Sequence, residues 1–154
     1  MSVEVRPATV DDAGTLVEFN LAMASETEDR PLDAQRLAAG IRHALMHPEE
    51  ARYLLASLNG EAVGALMLTF EWSDWRAGRF WWIQSVYVAP SHRRRGVYRA
   101  LHERVKAMVR ADPLACGIRL YVERENGIAQ ATYRSLGMDE THYRLYEEDF
   151  TATD

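Results

Sequence analysis

The sequence predicts an α/β fold, a mixed sheet with helices on both faces, and three observations carry that prediction. Apolar residues recur at period two in some segments and near period 3.6 in others, these segments alternate along the chain, and the 154 residues, 47% hydrophobic and 27% charged, suffice for one buried core. The expected order is β-α-α-β-β-β-α-β-α-β, within a single domain over residues 1–154.

Val3 to Ala8 alternates as a strand does. Thr9-Val10-Asp11-Asp12 has the form of a capping box and starts a helix that points Ala13, Leu16, Val17 and Asn20 to Leu21 inward. A second helix is expected from Asp33 to His47, with Leu37, Ile41, Ala44 and Leu45 on its apolar face and Pro48 as its stop. Tyr53 to Leu58 and Ala62 to Phe70 read as a hairpin across Asn59-Gly60, because both turn positions require positive φ. The strand that follows Phe80 is β-branched and aromatic and ends at Pro90, which has no N–H to continue it. Val97, Leu101, Val105 and Met108 then mark a third helix. Ile118 to Val122 reads as a strand, the segment after Asn126 as a helix closed by Gly137, and Tyr143 to Glu147 as a last strand.

Charge is unevenly placed. The net charge is −5, and Met1 to Glu50 hold ten acids against four arginines, whereas Ser91 to Arg110 hold seven of the 18 basic residues and the single acid Glu103. An acidic chain with one basic patch suits a small polyanion better than a nucleic-acid track, and no recognition-helix motif accompanies Arg93-Arg94-Arg95. Arg99, Arg104, Lys106 and Arg110 lie mostly off the apolar stripe and read as a solvated helix face. Apolar runs fall far short of a membrane span, the N-terminus lacks a signal core, and the lone Cys116 cannot form an internal disulfide. A cytoplasmic protein with no membrane partner is expected.

The basic turn joins the strand Val86-Tyr87-Val88-Ala89-Pro90 to a helix start, where backbone N–H groups point outward and the helix dipole favours an anion. Gly96 leaves room for a ligand to approach the backbone. Arg93-Arg94-Arg95-Gly96-Val97-Tyr98 resembles the acetyl-CoA pyrophosphate loop of the GNAT N-acetyltransferase superfamily, usually Gln/Arg-x-x-Gly-x-Gly/Ala, with Tyr98 where a small residue is usual. The stretch from Asn126 through Ala129, Tyr133 and Gly137 to Met138 is similar to the superfamily's Asn-x-x-Ala-x-x-x-Tyr-x-x-x-Gly-Phe. Both segments occur in the expected order.

The resemblance implies a mostly antiparallel mixed sheet in which the Trp82–Val88 and Ile118–Val122 strands run parallel and splay apart. It implies acetyl-CoA as co-substrate, no metal, and transfer of the acetyl group to a primary amine of a small molecule. Val86, Tyr87 and Val88 would meet the pantetheine arm, and Arg93, Arg94, Arg95, Gly96, Val97 and Tyr98 the pyrophosphate, mainly through amides. Asn126 would contact the pantetheine arm or serve as a plain N-cap. An N–H near Val86 would receive the oxyanion. Tyr133 would protonate the leaving thiolate, since a phenol with a pKa of about 10 keeps its proton at neutral pH; the competing use of Tyr133 is core packing.

An alkylammonium must lose a proton before it attacks, so a base is needed. Glu71, at a strand end, and Glu123, beyond the splayed strand, are the candidates by order, because Gln84 and Ser85 stand where some relatives carry Glu or His. The run Phe70 to Trp82 holds all four tryptophans, and with Glu26, Glu28, Asp29, Glu71 and Asp74 it could hold a cationic amine; Trp72 and Trp75 could equally form a homodimer contact. The competing class is a non-catalytic acyl-CoA sensor that lacks a productive base.

Overall fold

The computed structural model describes residues 2–27 and 31–151 and divides into two compact units, Met1–Tyr121 and Val122–Asp154. Glu28 and Asp29, two of the acids expected near the acceptor, lie outside the described residues.

In the first unit five strands form one sheet in the order β1 (Glu4–Pro7), β2 (Ala51–Leu58), β3 (Glu61–Ser73), β4 (Gly78–Val88) and β5 (Ala115–Arg119). The first four pair antiparallel and β5 joins β4 in parallel. Asn59 and Gly60, with φ of 52° and 80°, make the β2–β3 turn that their sequence predicts.

Helices α1 (Ala13–Thr27) and α2 (Ala34–Met46) cover one face, and α3 (Val97–Ala111) covers the other. β2 shows how one strand serves both. Leu54, Ala56 and Leu58 pack with Leu66, Leu68, Trp81 and Ile83 beneath Val97, Leu101 and Val105 of α3. Ala51, Tyr53 and Leu55 pack with Ala65 against Leu16 of α1 and Ile41 and Ala44 of α2. Alternate side chains point to opposite faces, so a strand covered on both sides reads as a continuous apolar run. Each fully buried leucine, such as Leu16, Leu54 or Leu101, contributes about 1.5–3 kcal/mol through removal from water.

The helix starts follow their capping residues. Asp33 accepts the N–H groups of Gln35 and Arg36, and His47 closes α2 ahead of Pro48. Asp12 accepts the Thr9 N–H, as the capping box predicts, but residues 10–12 form a 3-10 turn and α1 begins only at Ala13.

β5 lies about three residues earlier than its apolar pattern suggests. Two glycines explain the shift. A Cβ at Gly78 would stand 2.7 Å from the Leu114 carbonyl oxygen, and one at Gly117 would stand 2.7 Å from the Phe80 ring, so β4 and β5 pair in this register because neither position carries a side chain.

In the second unit α4 (Gly127–Ser135) is capped by Asn126, whose side chain accepts the Ala129 N–H at 3.1 Å, and Gly137 follows its end with φ 99°. The strand expected at Tyr143 to Glu147 does not form. Its alternation is real, but Tyr143, Leu145 and Tyr146 are all exposed, and none of the described strands pairs with it. A lone extended segment leaves its backbone groups to water.

Candidate active site

β4 is closed at its beginning and open at its end. Over Arg79 to Trp82 it pairs with β5. That end is locked by Asp112, whose Oδ2 accepts from Arg79 Nε (3.2 Å), Arg79 Nη2 (3.1 Å) and Trp81 Nε1 (3.3 Å), while Oδ1 accepts the Leu114 N–H (3.0 Å). The Leu114 amide first, and then Arg79 and Trp81, hold the Asp112 carboxyl below its ordinary pKa. Beyond the Trp82–Arg119 pair the strands part, and no described strand pairs with that edge of β4 from Ile83 to Val88.

The open half is also distorted. Its register with β3 jumps between Met67–Gln84 and Ala65–Tyr87, so β4 carries an extra residue, and Ser85 adopts φ 52°. Such a bulge turns backbone groups out of the ladder. A non-glycine residue in this conformation is costly and persists where surrounding packing holds it. Val86 and Val88 pack toward the α3 core, and Tyr87 is buried on the opposite face with its ring 5.0 Å from Phe19 of α1.

The open half leads into the basic turn. Arg93 is tied down: Nε donates to the Val88 carbonyl at 2.9 Å and Nη2 to Glu26 at 2.7 Å. Its guanidinium therefore fastens the turn to the strand end and to α1. Arg94 and Gly96 both have positive φ, 63° and 83°, and a Cβ at Gly96 would meet nothing within 4 Å. Open space lies over the glycine, so what fixes it there is backbone conformation and access. The Ala100 N–H returns to the Gly96 carbonyl at 3.0 Å, and a helix start of this kind aims its first amides outward. Val97 buries its side chain in the core and so offers a ligand only backbone. Tyr98 packs against that core and meets His102 Nδ1 at 3.0 Å; its ring is thus directed into the protein, which reconciles a large residue with an accessible turn.

On the sheet face opposite α3, polar and aromatic groups gather at the fork. Glu71 Oε1 accepts from Arg119 Nη1 at 2.8 Å and from Trp82 Nε1 at 3.1 Å. Arg119 stacks on Phe80, 3.6 Å from its guanidinium carbon to the ring centroid. Gln84 Nε2 donates to Thr69 Oγ1 at 2.6 Å, and Tyr121 tilts against Trp82 at 6.2 Å.

Two of the acids expected near the acceptor are already paired with arginines. Glu26 pairs with Arg93 and Glu71 with Arg119, while Asp74 accepts the Trp75 N–H within its own turn. Trp72 and Trp75 are exposed. Sequence reasoning missed Arg119, although a charged residue inside the apolar run Ile118 to Val122 was the available signal.

The second unit carries the other named residues. Glu123 lies in the turn before α4, where its carbonyl accepts Asn126 N–H and Gln130 Nε2. The Asn126 side-chain oxygen is used as a cap. Tyr133 lies on α4, and burial raises its phenol above the ordinary value, which keeps it protonated and able to donate. Among the described residues no group of His, Cys, Asp and Glu is placed to hold a metal, and no helix is long and apolar enough to cross a membrane.

Comparison with known proteins places this geometry. The Acetyltransferase (GNAT) family matches residues 17–138. A solved structure of a possible acetyltransferase from Clostridium difficile 630 is 40% identical, with 99% of this chain and 100% of that chain covered and a TM-score of 0.89. A predicted acetyltransferase with acetyl-CoA from Clostridium acetobutylicum is 17% identical, covered over 96% of both chains, with a TM-score of 0.79. AAC(6')-Iy, in complex with the bisubstrate analogue CoA-S-monomethyl-acetylneamine, is 16% identical, with 97% of this chain and 99% of that chain covered and a TM-score of 0.78. No curated protein matches.

Proposed function

Because the chain belongs to the GNAT acetyltransferase family, and is on that ground an acetyl-CoA-dependent acetyltransferase, we propose that it moves the acetyl group onto a primary amine of a small molecule, as one domain over residues 1–154. The observation that carries this reading is the open half of β4, a bulged strand edge that leads directly into an accessible helix N-terminus.

The residues present fit acetyl-CoA. The edge from Val86 to Val88 offers backbone groups to the amides of a pantetheine arm in the manner of an added strand. The turn from Arg94 to Tyr98 offers helix-start amides to a pyrophosphate, with Gly96 keeping the approach clear and Arg94 and Arg95 adding charge. Acetyl-CoA supplies an activated thioester. Attack by the amine nitrogen forms the C–N bond and breaks the C–S bond, the ammonium having first lost a proton. The Val86 N–H, next to the bulge, receives the charge that develops on the carbonyl oxygen. Tyr133, protonated at neutral pH, gives its proton to the departing thiolate and recovers one as the acetylated nitrogen sheds its second proton, a role it takes from its place in the Asn126 motif. Asn126 adds a contact to the pantetheine arm from its amide nitrogen. Glu71 anchors the amine or takes its proton, and Glu123 is the second candidate base.

A non-catalytic acyl-CoA sensor is the second reading, favoured by Gln84 and Glu71 being already hydrogen-bonded. Two measurements test the first reading. Saturating acetyl-CoA should raise the melting temperature, since about 100-fold excess over Kd adds about 2.7 kcal/mol to a state that alone binds it. Gly96→Glu should abolish that rise by placing bulk and negative charge over the turn. Thiol release with a panel of amines separates enzyme from sensor: a rise in melting temperature with no release across the panel would leave the sensor.

A further inference from the structure

We propose that the acceptor carries an anionic group, a carboxylate close to its amine, and that Arg119 is the residue that selects it. This rests on the amine acetylation proposed above.

The turn from Arg94 to Gly96 starts α3, which covers one face of the sheet. A cofactor that enters from that turn and runs along the open edge of β4 brings its acyl group through the fork, so an acceptor approaches from the opposite face. That face, where β4 and β5 part, presents Glu71, Trp82, Gln84 and Arg119.

The state of Arg119 there is unusual. Its side chain is 28% exposed, it stacks on Phe80, and its last paired neighbour is Trp82 at the point of divergence. It spends a single N–H, from Nη1, on Glu71 Oε1. Among the described residues Nε and Nη2 have no partner, and these two form the guanidinium edge that matches a carboxylate with two parallel hydrogen bonds. Stacking on a buried ring fixes the plane of that edge before anything binds.

Glu71 is complementary. Both of its bonds fall on Oε1, and Oε2 has no partner among the described residues. An ammonium can take that oxygen while a carboxylate takes the Nε–Nη2 edge, and each new contact joins an ion pair that is already formed. A ligand with both charges leaves the local charge balanced. A polycationic amine would bring surplus positive charge to a site whose one carboxylate, Glu71, is already matched by Arg119. The class that fits is an amphoteric amine such as an α-amino acid.

The test compares one α-amino acid with its carboxamide and its decarboxylated amine, using acetyl-CoA and thiol release, over a panel of side chains. Wild type should give a kcat/KM ratio of acid to carboxamide of about 10 to 100, the discrimination expected from one charge-assisted pair. Arg119→Gln should bring that ratio to about one, chiefly through a higher KM for the acid. Arg119→Lys, which keeps charge and loses the fork, should fall between, and it carries the test if the glutamine variant does not fold. Preference of wild type for the decarboxylated amine, or a ratio unchanged in both variants, overturns the proposal and leaves amine acetylation standing. No thiol release with any amine overturns both.

Discussion

The two halves of β4 have the same strand chemistry and opposite fates. From Gly78 to Trp82 the strand is gripped by β5, two glycines and the Asp112 lock; from Ile83 to Val88 it is bulged, open along one edge and followed by a turn with two left-handed residues. The first half is fastened and the second exposes backbone. The change from fastened to open falls at a single pair, Trp82 and Arg119, whose side chains both donate to Glu71.

The largest effect should come from straightening the open half. Ser85→Val puts a β-branched side chain at φ 52°, which costs on the order of 1–3 kcal/mol and favours loss of the bulge. If the Val86 amide beside the bulge receives the oxyanion, kcat should fall about 10²- to 10³-fold. Steady-state kinetics with saturating acetyl-CoA checks it, and a folded variant with wild-type turnover would remove the bulge from the chemistry.

Tyr133→Phe tests whether the strand acts alone. It keeps the ring and deletes the proton donor, so kcat should fall on the order of 10²-fold with little change in acetyl-CoA affinity. Wild-type turnover would make Tyr133 a packing residue.

The closed half should behave in the reverse way. Gly78→Ala forces a Cβ toward the Leu114 carbonyl and should cost about 1–3 kcal/mol, a fall in melting temperature of several degrees, while turnover per folded molecule is retained. A folded Gly78→Ala protein with much reduced kcat would mean that the two halves are mechanically coupled and the comparison fails.

The smallest effect lies outside both halves. His102, fully buried on the inner face of α3, has its pKa lowered first by burial and then by Lys106, with Glu103 opposing, and its Nε2 has no hydrogen-bond partner among the described residues. A folded-state pKa below the unfolded value of about 6.5 means that the unfolded chain binds the proton more readily. Its contribution is complete above about pH 6.5 and is lost as pH falls below it. The melting temperature should drop by a few degrees on mild acidification, and His102→Gln should flatten that slope relative to wild type.

Much of this architecture was legible in the sequence. The Asn59-Gly60 turn, the Asp33 and Asn126 caps and the Gly137 stop depend on residues adjacent to the backbone they serve, so a local reading suffices. The basic turn was equally local: its glycine, its arginines and the helix after it are contiguous. Where reading failed, the cause was distant. The position of β5 is fixed by Gly78 and Gly117 meeting residues far along the chain, and Tyr143 to Glu147 alternates without finding a strand to pair with. Expected acids turned out to be paired acids, because Glu26 meets Arg93 across 67 positions and Glu71 meets Arg119 across 48.

By itself, then, the sequence determined the period of each element, its caps and the chemistry of the turn, all of which follow from contacts within a few residues. Tertiary structure alone decided where β4 and β5 part, which strand carries the bulge, and whether a carboxylate faces a substrate or an arginine. Those outcomes depend on register and on side chains brought together from distant positions in the chain, and a hydrogen bond's partner is set by distance in space, not by order along the chain.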